Sequence, residues 1–427
     1  MKVKRNATRR RPRCLRAIVL LAALLGQGVA GAESDAASFY IETITVDTPR
    51  LSQEIVLAES LLHEGEEYSE DELREAVHRI NRLPFVLLAE FSLNKGSERG
   101  RYELVVKVFE TRRWFFQVGA NWQLNEGISE LDRLDPRVDT EIGTRIGDTT
   151  DDLRSLVGRR FALGARSLLF ASFGSEDGLF ALGYQRYNLW NRNILLNLSL
   201  ASEDGISSVS SSTKTVTARA QLGIPIRGNH ALRVLAGWSR DDRTFSFGSD
   251  LDTQESEAEV AWLFNSLDDP VLPREGSLYE AGITWSDRDG VDYEFRDGLF
   301  EGVKFSERRL GLIAAAGRHW PVAERQSVSV NARGFFGEGL DSARVWEAEA
   351  SLGHQVFLLR RLELDKWREL RFETQVSVLG QDSEERRLLG FSRGPIEDSW
   401  RIRTGLVYRN GWGLFRLFVE YEDRELR

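Results

Sequence analysis

Hydrophobic and polar residues alternate strictly along residues 111–124, TRRWFFQVGANWQL. In an extended chain one face carries Trp114, Phe116, Val118, Ala120, Trp122 and Leu124, and the other carries Phe115, Gln117, Gly119, Asn121 and Gln123. A period of two residues predicts a β-strand with one apolar and one polar face. This segment alone leaves two structures open: a soluble sheet whose apolar face packs inward, and a membrane barrel whose apolar face meets lipid.

The same alternation recurs to the end of the chain, with almost no helical periodicity after residue 112. Clear examples are residues 194–200, 216–224, 370–378 and 400–408. Their polar positions hold Arg, Glu and Gln repeatedly, so the polar face must meet water.

The spacing of aromatic residues favours the membrane barrel over the soluble sheet. Trp114 and Trp122 are eight residues apart, which is roughly 27 Å along a strand at about 3.4 Å per residue. In a strand tilted by about 40° this projects to roughly 21 Å, close to the ~25 Å apolar band and aromatic girdles of outer-membrane barrels. Tyr279 and Trp285 repeat the spacing less widely.

The connections between predicted strands alternate between short and long. Short ones occupy 189–193, 226–230, 268–276 and 321–325, and long polar ones lie near 125–135, 203–213, 241–255 and 286–298. Tracing the strands predicts a transmembrane antiparallel barrel of about sixteen strands over residues 112–427, with short turns on one side and long loops on the other. Because the second strand, near 137–146, is weak, fourteen strands remain possible.

Residues 39–111 have a different pattern, which predicts a small α+β domain in the order β-α-α-β-β. A strand over 39–47 precedes a helix over 51–62, and Ser69 with Glu72 forms a capping box that begins a second helix. Residues 85–94 and 102–110 follow as strands.

The first residues predict export from the cytoplasm. A basic stretch, the apolar run AIVLLAALL and the small residues Ala30-Gly31-Ala32 form a secretory signal peptide over residues 1–32. Its removal leaves 49 basic and 66 acidic side chains, which argues against nucleic acid as a partner. The single cysteine, Cys14, leaves with the signal, so no disulfide scaffold is expected.

In this order, the segments resemble the superfamily of outer-membrane assembly and translocation proteins that join POTRA domains to a barrel (BamA- and TamA-like). Two patterns carry the resemblance: LLHEGEEYSEDELREAVHRINRLPF with ELVVKVFE in the first part, and SLDDPVLPREGSLYEAGITWS in the second. The latter is similar to the D-x-x-x-x-P-x-x-G turn that enters the ninth barrel strand of the superfamily. The resemblance implies an outer-membrane location in a Gram-negative bacterium, with the N-terminal domain in the periplasm.

Two surfaces are candidates for contact with client proteins. A client in extended conformation would add a strand to the edge of the small domain's sheet, predicted at Phe85, Leu87, Ala89, Phe91 and Leu93. The client would then meet a seam between the first and last barrel strands, which can open sideways if it is short of hydrogen bonds. The predicted seam residues are Trp114, Phe116, Val118, Trp122, Gly413, Phe415, Leu417 and Tyr421.

The superfamily usually folds a lid loop carrying R-G-F or R-G-Y into the lumen. Arg333, Gly334 and Phe335 match this motif, but the alternation places them inside a strand, so a lumen-facing strand arginine is the preferred interpretation. A second candidate, Gly390 to Gly394, lacks the aromatic residue. Arg219, Arg371, Arg401 and Arg403 fall on the predicted lumen face. Tyr421 is expected to be the terminal aromatic residue, followed by a charged tail in the periplasm.

The sequence carries no hydrolase motif, phosphate-binding loop or Cys/His cluster, and its five histidines are scattered. We therefore expect no enzyme activity, no metal and no cofactor. Two functions remain: insertion or translocation of client proteins, and a pore or structural barrel whose small domain docks a periplasmic partner protein. Expected partners are outer-membrane lipid and extended clients. The sequence does not identify the clients or distinguish insertion from secretion or lipid transport.

Overall fold

The computed structural model describes two connected bodies, a small α+β domain and a large β-barrel. The described residues are 38–49, 51–83, 86–110, 114–125, 135–137, 141–142, 144–145, 154–162, 167–174, 180–208, 211–245, 250–269, 272–296, 299–339, 344–361, 368–383, 396–410 and 413–426. The predicted signal peptide and the second lid candidate lie outside these residues.

The small domain is a four-stranded sheet covered by two helices. Its elements are β1 (Ser38–Asp47), α1 (Gln53–Ser60), β2 (Glu66–Ser69), α2 (Glu70–Asn81), β3 (Val86–Lys95) and β4 (Arg101–Glu110). The strand order is β2-β1-β4-β3, with β1 parallel to β4 and the other pairs antiparallel. The sequence predicted every element except β2, a four-residue strand whose polar residues carry little apolar alternation.

Local sequence sets the limits of both helices. The Ser52 side chain accepts a hydrogen bond at the start of α1, and Leu61 ends that helix in a left-handed conformation. The predicted capping box of α2 is confirmed, because the Ser69 side chain accepts from the Glu72 backbone while the Glu72 carboxylate accepts from the Ser69 backbone. The core between helices and sheet buries Ile41, Ile55, Val56, Leu73, Ile80, Leu104 and Val106.

The barrel consists of long strands joined mostly to their neighbours in sequence. They are β5 (Trp114–Asn125), β9 (Arg154–Ala162), β10 (Ser167–Gly174), β11 (Phe180–Leu189), β12 (Ile194–Ser208), β13 (Ser211–Arg227), β14 (His230–Phe245), β15 (Asp250–Asn265), β16 (Gly276–Arg296), β17 (Leu299–Ala323), β18 (Gln326–Gly339), β19 (Arg344–Arg361), β20 (Arg368–Ser383), β21 (Ile396–Asn410) and β22 (Gly413–Leu426). A short strand, β6 (Asp135–Arg137), brings the described sheet to sixteen strands.

Around the predicted second strand, near 137–146, the structure describes residues 135–137, 141–142 and 144–145. These residues contribute β6, which pairs with the outer half of β5, and two further short strands, β7 (Glu141–Ile142) and β8 (Thr144–Arg145), which pair with each other. β9 takes the place beside the inner half of β5.

The ring closes between β22 and β5, and the closing pair is parallel. Of the sixteen strands in the described sheet, β6 pairs with β5 alone, so the ring itself has fifteen strands. With an odd number of alternating strands, the first and last strands run in the same direction. The predicted barrel had an even number of strands, all antiparallel, and so did not include a parallel pair. β22 therefore starts near the small domain and ends on the far side, so the small domain and the charged tail cannot both lie in the periplasm, although the sequence predicted this for both.

Three long predicted loops, 203–213, 241–255 and 286–298, are mostly strand, and β12 and β13 remain paired through Ser208 and Ser211. β14 and β15 remain paired through Thr244 and Asp250, and β16 and β17 through Arg296 and Leu299. The many Asp, Ser, Thr and Arg residues at the starts of these segments resemble a loop in sequence.

Large apolar side chains cover the outside of the barrel wall. Exposed examples are Trp238, Val260, Trp262, Ile283, Trp285, Leu310, Leu312, Leu352, Val376 and Ile402. An apolar surface of this extent, rimmed by aromatic residues, is typical of a wall that faces lipid. Trp114, whose side chain is 47% exposed, belongs to this outer surface, so the apolar face of the first barrel strand points outward.

In the part of the chain that the structure describes, no helix is both long and apolar enough to cross a membrane.

Candidate functional site

The small domain sits against the barrel mouth formed by the short turns. Tyr187 of β11 is 3% exposed and belongs to the domain's own hydrophobic core, where β11 contacts α1. On the α2 side, the Arg82 guanidinium donates a hydrogen bond to the backbone carbonyl of Asn265 at the end of β15. The domain is therefore held at two separate short turns of the barrel.

Replacing Tyr187 with alanine is expected to loosen this docking. Truncating a buried aromatic side chain costs about 3 kcal/mol or more, equivalent to roughly a hundredfold change in an opening equilibrium. The rate of hydrogen exchange at the α1 amides in the full chain should rise by roughly a hundredfold. The control is Trp190→Ala in the adjacent turn, because Trp190 is 72% exposed. Equal exchange in both variants would contradict a docking role for Tyr187.

The predicted client-binding strand, β3, lies at the edge of the small domain's sheet. The backbone N–H of Ala89 points away from β4 and donates to the Asn81 side chain of α2 at 2.7 Å. By the two-residue repeat of a strand, the N–H groups of Phe91 and Leu93 point to the same open side. Leu87 lies at the start of β3 beside a register shift. Phe85 lies outside the described residues.

The turn between β15 and β16 contains the D-x-x-x-x-P-x-x-G pattern and leads into the ninth strand of the ring. The Asp268 carboxylate accepts backbone hydrogen bonds from Arg274 at 2.9 Å and Glu275 at 3.1 Å. Gly276 has φ +106°, and a Cβ there would overlap the Ser266 carbonyl oxygen. The first aspartate and last glycine of the pattern therefore shape the turn.

The same turn reaches into the barrel. Leu272 is 4% exposed and packs with Val407 of β21 and Phe418 of β22. Beside it, the Asp269 carboxylate accepts a hydrogen bond from the Arg409 guanidinium of β21. The turn thus joins the middle of the ring to its last two strands across the mouth.

A second set of contacts holds the turn against neighbouring strands. The Arg274 guanidinium donates to the Glu324 carbonyl at 2.6 Å and stacks over the Phe357 ring at 5.6 Å. Arg371 stacks over the same ring at 5.7 Å, donates to Gln355 at 2.8 Å and lies 2.7 Å from the Glu373 carboxylate. The end of the predicted lumen beside the small domain is therefore densely packed at this turn.

Limited access of water shifts several ionisation equilibria where α2 meets the turn. Burial raises the pKa of Asp268, although the two backbone hydrogen bonds oppose the shift. Burial lowers the pKa of His78, against the opposing charges of Asp268 and Glu275. Burial also lowers the pKa of Arg82 to about 10. The shared cause indicates that α2 and the turn exclude water from each other.

The predicted lumen arginines occupy inward positions of their strands. Arg219 forms a 2.8 Å ion pair with Glu257, and Arg371 lies in the cluster around Phe357. Arg401 and Arg403 alternate with outward Trp400 and Ile402, and the Arg403 guanidinium lies 3.9 Å from the centroid of the Phe418 ring. The described wall therefore pairs many of its inward cations with carboxylates or rings.

Arg333, Gly334 and Phe335 lie within β18, the eleventh strand of the ring, and not in a lid loop. Arg333 forms a 2.6 Å ion pair with Glu349 of β19. The placement agrees with the preferred interpretation, a lumen-facing strand arginine.

The structure brings the predicted seam strands together in a continuous register from Gly413 opposite Phe116 to Glu422 opposite Asn125. Within that register Phe415 lies opposite Val118, Leu417 opposite Ala120 and Tyr421 opposite Leu124. Trp114 lies before the start of this pairing, and Trp122 is opposite Val419. On the other side of β5, the described pairs with β9 run only from Trp114 to Gly119.

Sequence reasoning missed the residues that join the turn to the lumen, namely Asp269, Leu272, Arg274, Phe357, Arg409 and Phe418. One available signal was Leu272, which with Val271 forms an apolar pair between two prolines in a turn that also carries four charged residues. Among the described residues, no group of three or more His, Cys, Asp or Glu side chains could hold a metal ion.

The fold and site define a class of protein: a β-barrel with an apolar outside and a charged inside, whose mouth carries a small α+β domain. No protein-family model and no curated protein matches the chain.

Solved structures similar to this chain include BamA from Haemophilus ducreyi lacking POTRA domains 1–3, with a TM-score of 0.44 and 12% identity over 91% of this chain and 81% of that one. CdiB from Acinetobacter baumannii has a TM-score of 0.46 and 9% identity over 87% of this chain, which spans 61% of CdiB. The β domain of the Bordetella autotransporter BrkA has a TM-score of 0.32 and 12% identity over 52% of this chain and 88% of that one. A BamA structure is thus among those that this chain is similar to, as the motifs predicted.

Proposed function

We propose that this protein lies in the outer membrane and helps client proteins to insert into or cross that membrane. The observation that carries the proposal is the open edge of β3 on a domain seated at the barrel mouth. An extended client segment gains main-chain hydrogen bonds along such an edge with little dependence on its sequence. Docking then holds that segment beside the barrel strands.

The closing strands supply the second part of the proposal. β22 and β5 form a parallel pair, and parallel pairing is slightly less stable per residue than antiparallel pairing. On its other side β5 pairs with β9 over Trp114–Gly119 and with β6 over Asn121–Gln123. Separation at the parallel pair would offer the free edge of β5 to a client in lipid, where an unpaired edge is costly.

Depleting the protein and measuring the outer-membrane proteome tests this function. We expect a defined set of other barrels or surface proteins to be lost. Complementation with Leu93→Pro should fail to restore them, because proline removes an open-side N–H while leaving the ladder with β4. Leu93→Ala loses the same side chain but keeps that N–H, so it should restore the clients.

An unchanged proteome, or equal complementation by Leu93→Pro and Leu93→Ala, would refute client capture on β3. The charged inward residues would then favour the second candidate, a pore or structural barrel, which conductance of the purified protein would test. The absence of enzyme activity stays a prediction.

A further inference from the structure

The β15–β16 turn contacts both the client-binding domain and the strands that close the ring. We define the latch turn as residues 266–269 and 272–275. On its inner side it holds β21 and β22, through the hydrogen bond between Asp269 and Arg409 and the packing of Leu272 on Val407 and Phe418. These contacts cross the mouth from the eighth and ninth strands of the ring to its last two strands.

Both inner contacts are shielded from water, so they resist separation. The Arg409 side chain is 10% exposed and the Asp269 side chain 20% exposed. Leu272, Val407 and Phe418 are all buried. Breaking a buried ion pair is strongly destabilising, so the pair favours the closed arrangement. Phe418 also belongs to β22, the strand that pairs with β5.

On its outer side the latch turn is connected to the edge that would receive the client. Asn81, the last residue of α2, accepts the hydrogen bond from Ala89 on β3. The next residue, Arg82, donates to the Asn265 carbonyl directly before the latch turn. A continuous series of polar contacts therefore runs from β3 through the end of α2 to the turn.

We propose that the latch turn keeps the last two strands closed until a client pairs with β3. This inference rests on the proposed function. A client strand that bonds to the Ala89 N–H takes the position of Asn81, so it binds more tightly to the arrangement in which α2 has moved away. Because α2 holds the Asn265 carbonyl, its movement releases the latch turn from the mouth, and β21 and β22 are then free to separate from β5.

The first experiment measures ion conductance of the purified full chain in lipid bilayers, without any client. Asp269→Asn removes the charge that holds Arg409 and should raise the open fraction by about tenfold or more. The control is Asp47→Asn, the same change at an exposed side chain at the end of β1, which should leave conductance unchanged. Heat-modifiable electrophoretic mobility verifies that both variants are folded. If folded Asp269→Asn has the same conductance as wild type, the proposal that the latch turn keeps the barrel closed is refuted.

A disulfide tests the same closure without removing a charge. The single cysteine of the sequence, Cys14, lies in the predicted signal, so Leu272→Cys with Val407→Cys introduces a unique pair into the mature chain. The oxidised pair should keep the barrel closed, and a reductant should restore wild-type opening. If the pair fails to oxidise, the contact between residues 272 and 407 is refuted. If oxidation leaves the opening of the barrel unchanged, the role of that contact in closure is refuted.

The coupling to β3 is tested with a synthetic peptide, GLFRLFVEYE, which copies residues 413–422 and serves as an extended probe. Fluorescence anisotropy measures its binding to the full chain. The peptide should bind to wild type and to Leu93→Ala and raise the conductance of both. It should neither bind to Leu93→Pro nor change its conductance. Peptide that binds to wild type without changing conductance overturns the coupling alone. Failure of the peptide to bind counts against the proposed function on which the coupling rests.

Discussion

Replacing Gly276 with alanine should destabilise the barrel by about 3 kcal/mol or more, among the largest effects expected of any single substitution in this chain. The backbone has φ +106° at this position, a conformation that residues with a Cβ rarely adopt. A Cβ would also overlap the Ser266 carbonyl oxygen and lie 2.7 Å from its carbonyl carbon. Relief of this clash requires the end of β15 to separate from the start of β16.

The measurement is the urea midpoint of the refolded full chain, read from the fraction with folded electrophoretic mobility. The matched control is Gly228→Ala, in another short turn of the barrel. Gly228 also has positive φ, +53°, but no atom lies within 4 Å of the position that a Cβ would occupy there. That variant should lose only about 1–2 kcal/mol, the ordinary cost of a left-handed residue. A midpoint for Gly276→Ala equal to that of Gly228→Ala would contradict the clash.

Arg371→Leu should cost about 3–5 kcal/mol, because it removes a buried cation from beside two carboxylates, of which Glu369 is buried and Glu373 partly buried. The Arg371 side chain is 1% exposed, and Glu373 lies 2.7 Å away with 22% exposure. Glu369 is 4.0 Å from the same guanidinium and 6% exposed. Water has little access to these carboxylates, so it cannot replace the lost interaction.

The matched control is Arg219→Leu, which removes another inward arginine from a 2.8 Å ion pair. The two side chains of that pair are 35% and 33% exposed, so screening by water limits the loss to about 1 kcal/mol. Urea midpoints of both variants provide the comparison. Similar midpoints would show that burial does not set the strength of the arginine pairs in the lumen.

The sequence could predict features that depend on local pattern. Alternation over residues 400–408 identified which side chains face outward, and Ser69 with Glu72 marked the start of α2. The order of elements placed β3 as a candidate edge. Each of these features depends on residues that are close in the chain, where periodicity and capping chemistry act directly.

Features that depend on pairing between distant segments were not predictable in the same way. The parallel closure requires the register of β22 against β5, and a pattern of period two gives no partner and no register. The contact between Leu272 and Phe418 joins residues far apart in the chain. In sequence, the D-x-x-x-x-P-x-x-G turn indicates only its local shape, and its position across the mouth follows from the curvature of the closed ring.

The direction of β22 has a consequence for how this barrel must itself be made. β5 leaves the small domain and β22 runs alongside it, so Leu426 lies on the face opposite the domain. If the strands enter a membrane from the side of the small domain, the segment Asp423–Leu426, which carries three charged residues, has to cross the apolar layer before β22 can pair with β5.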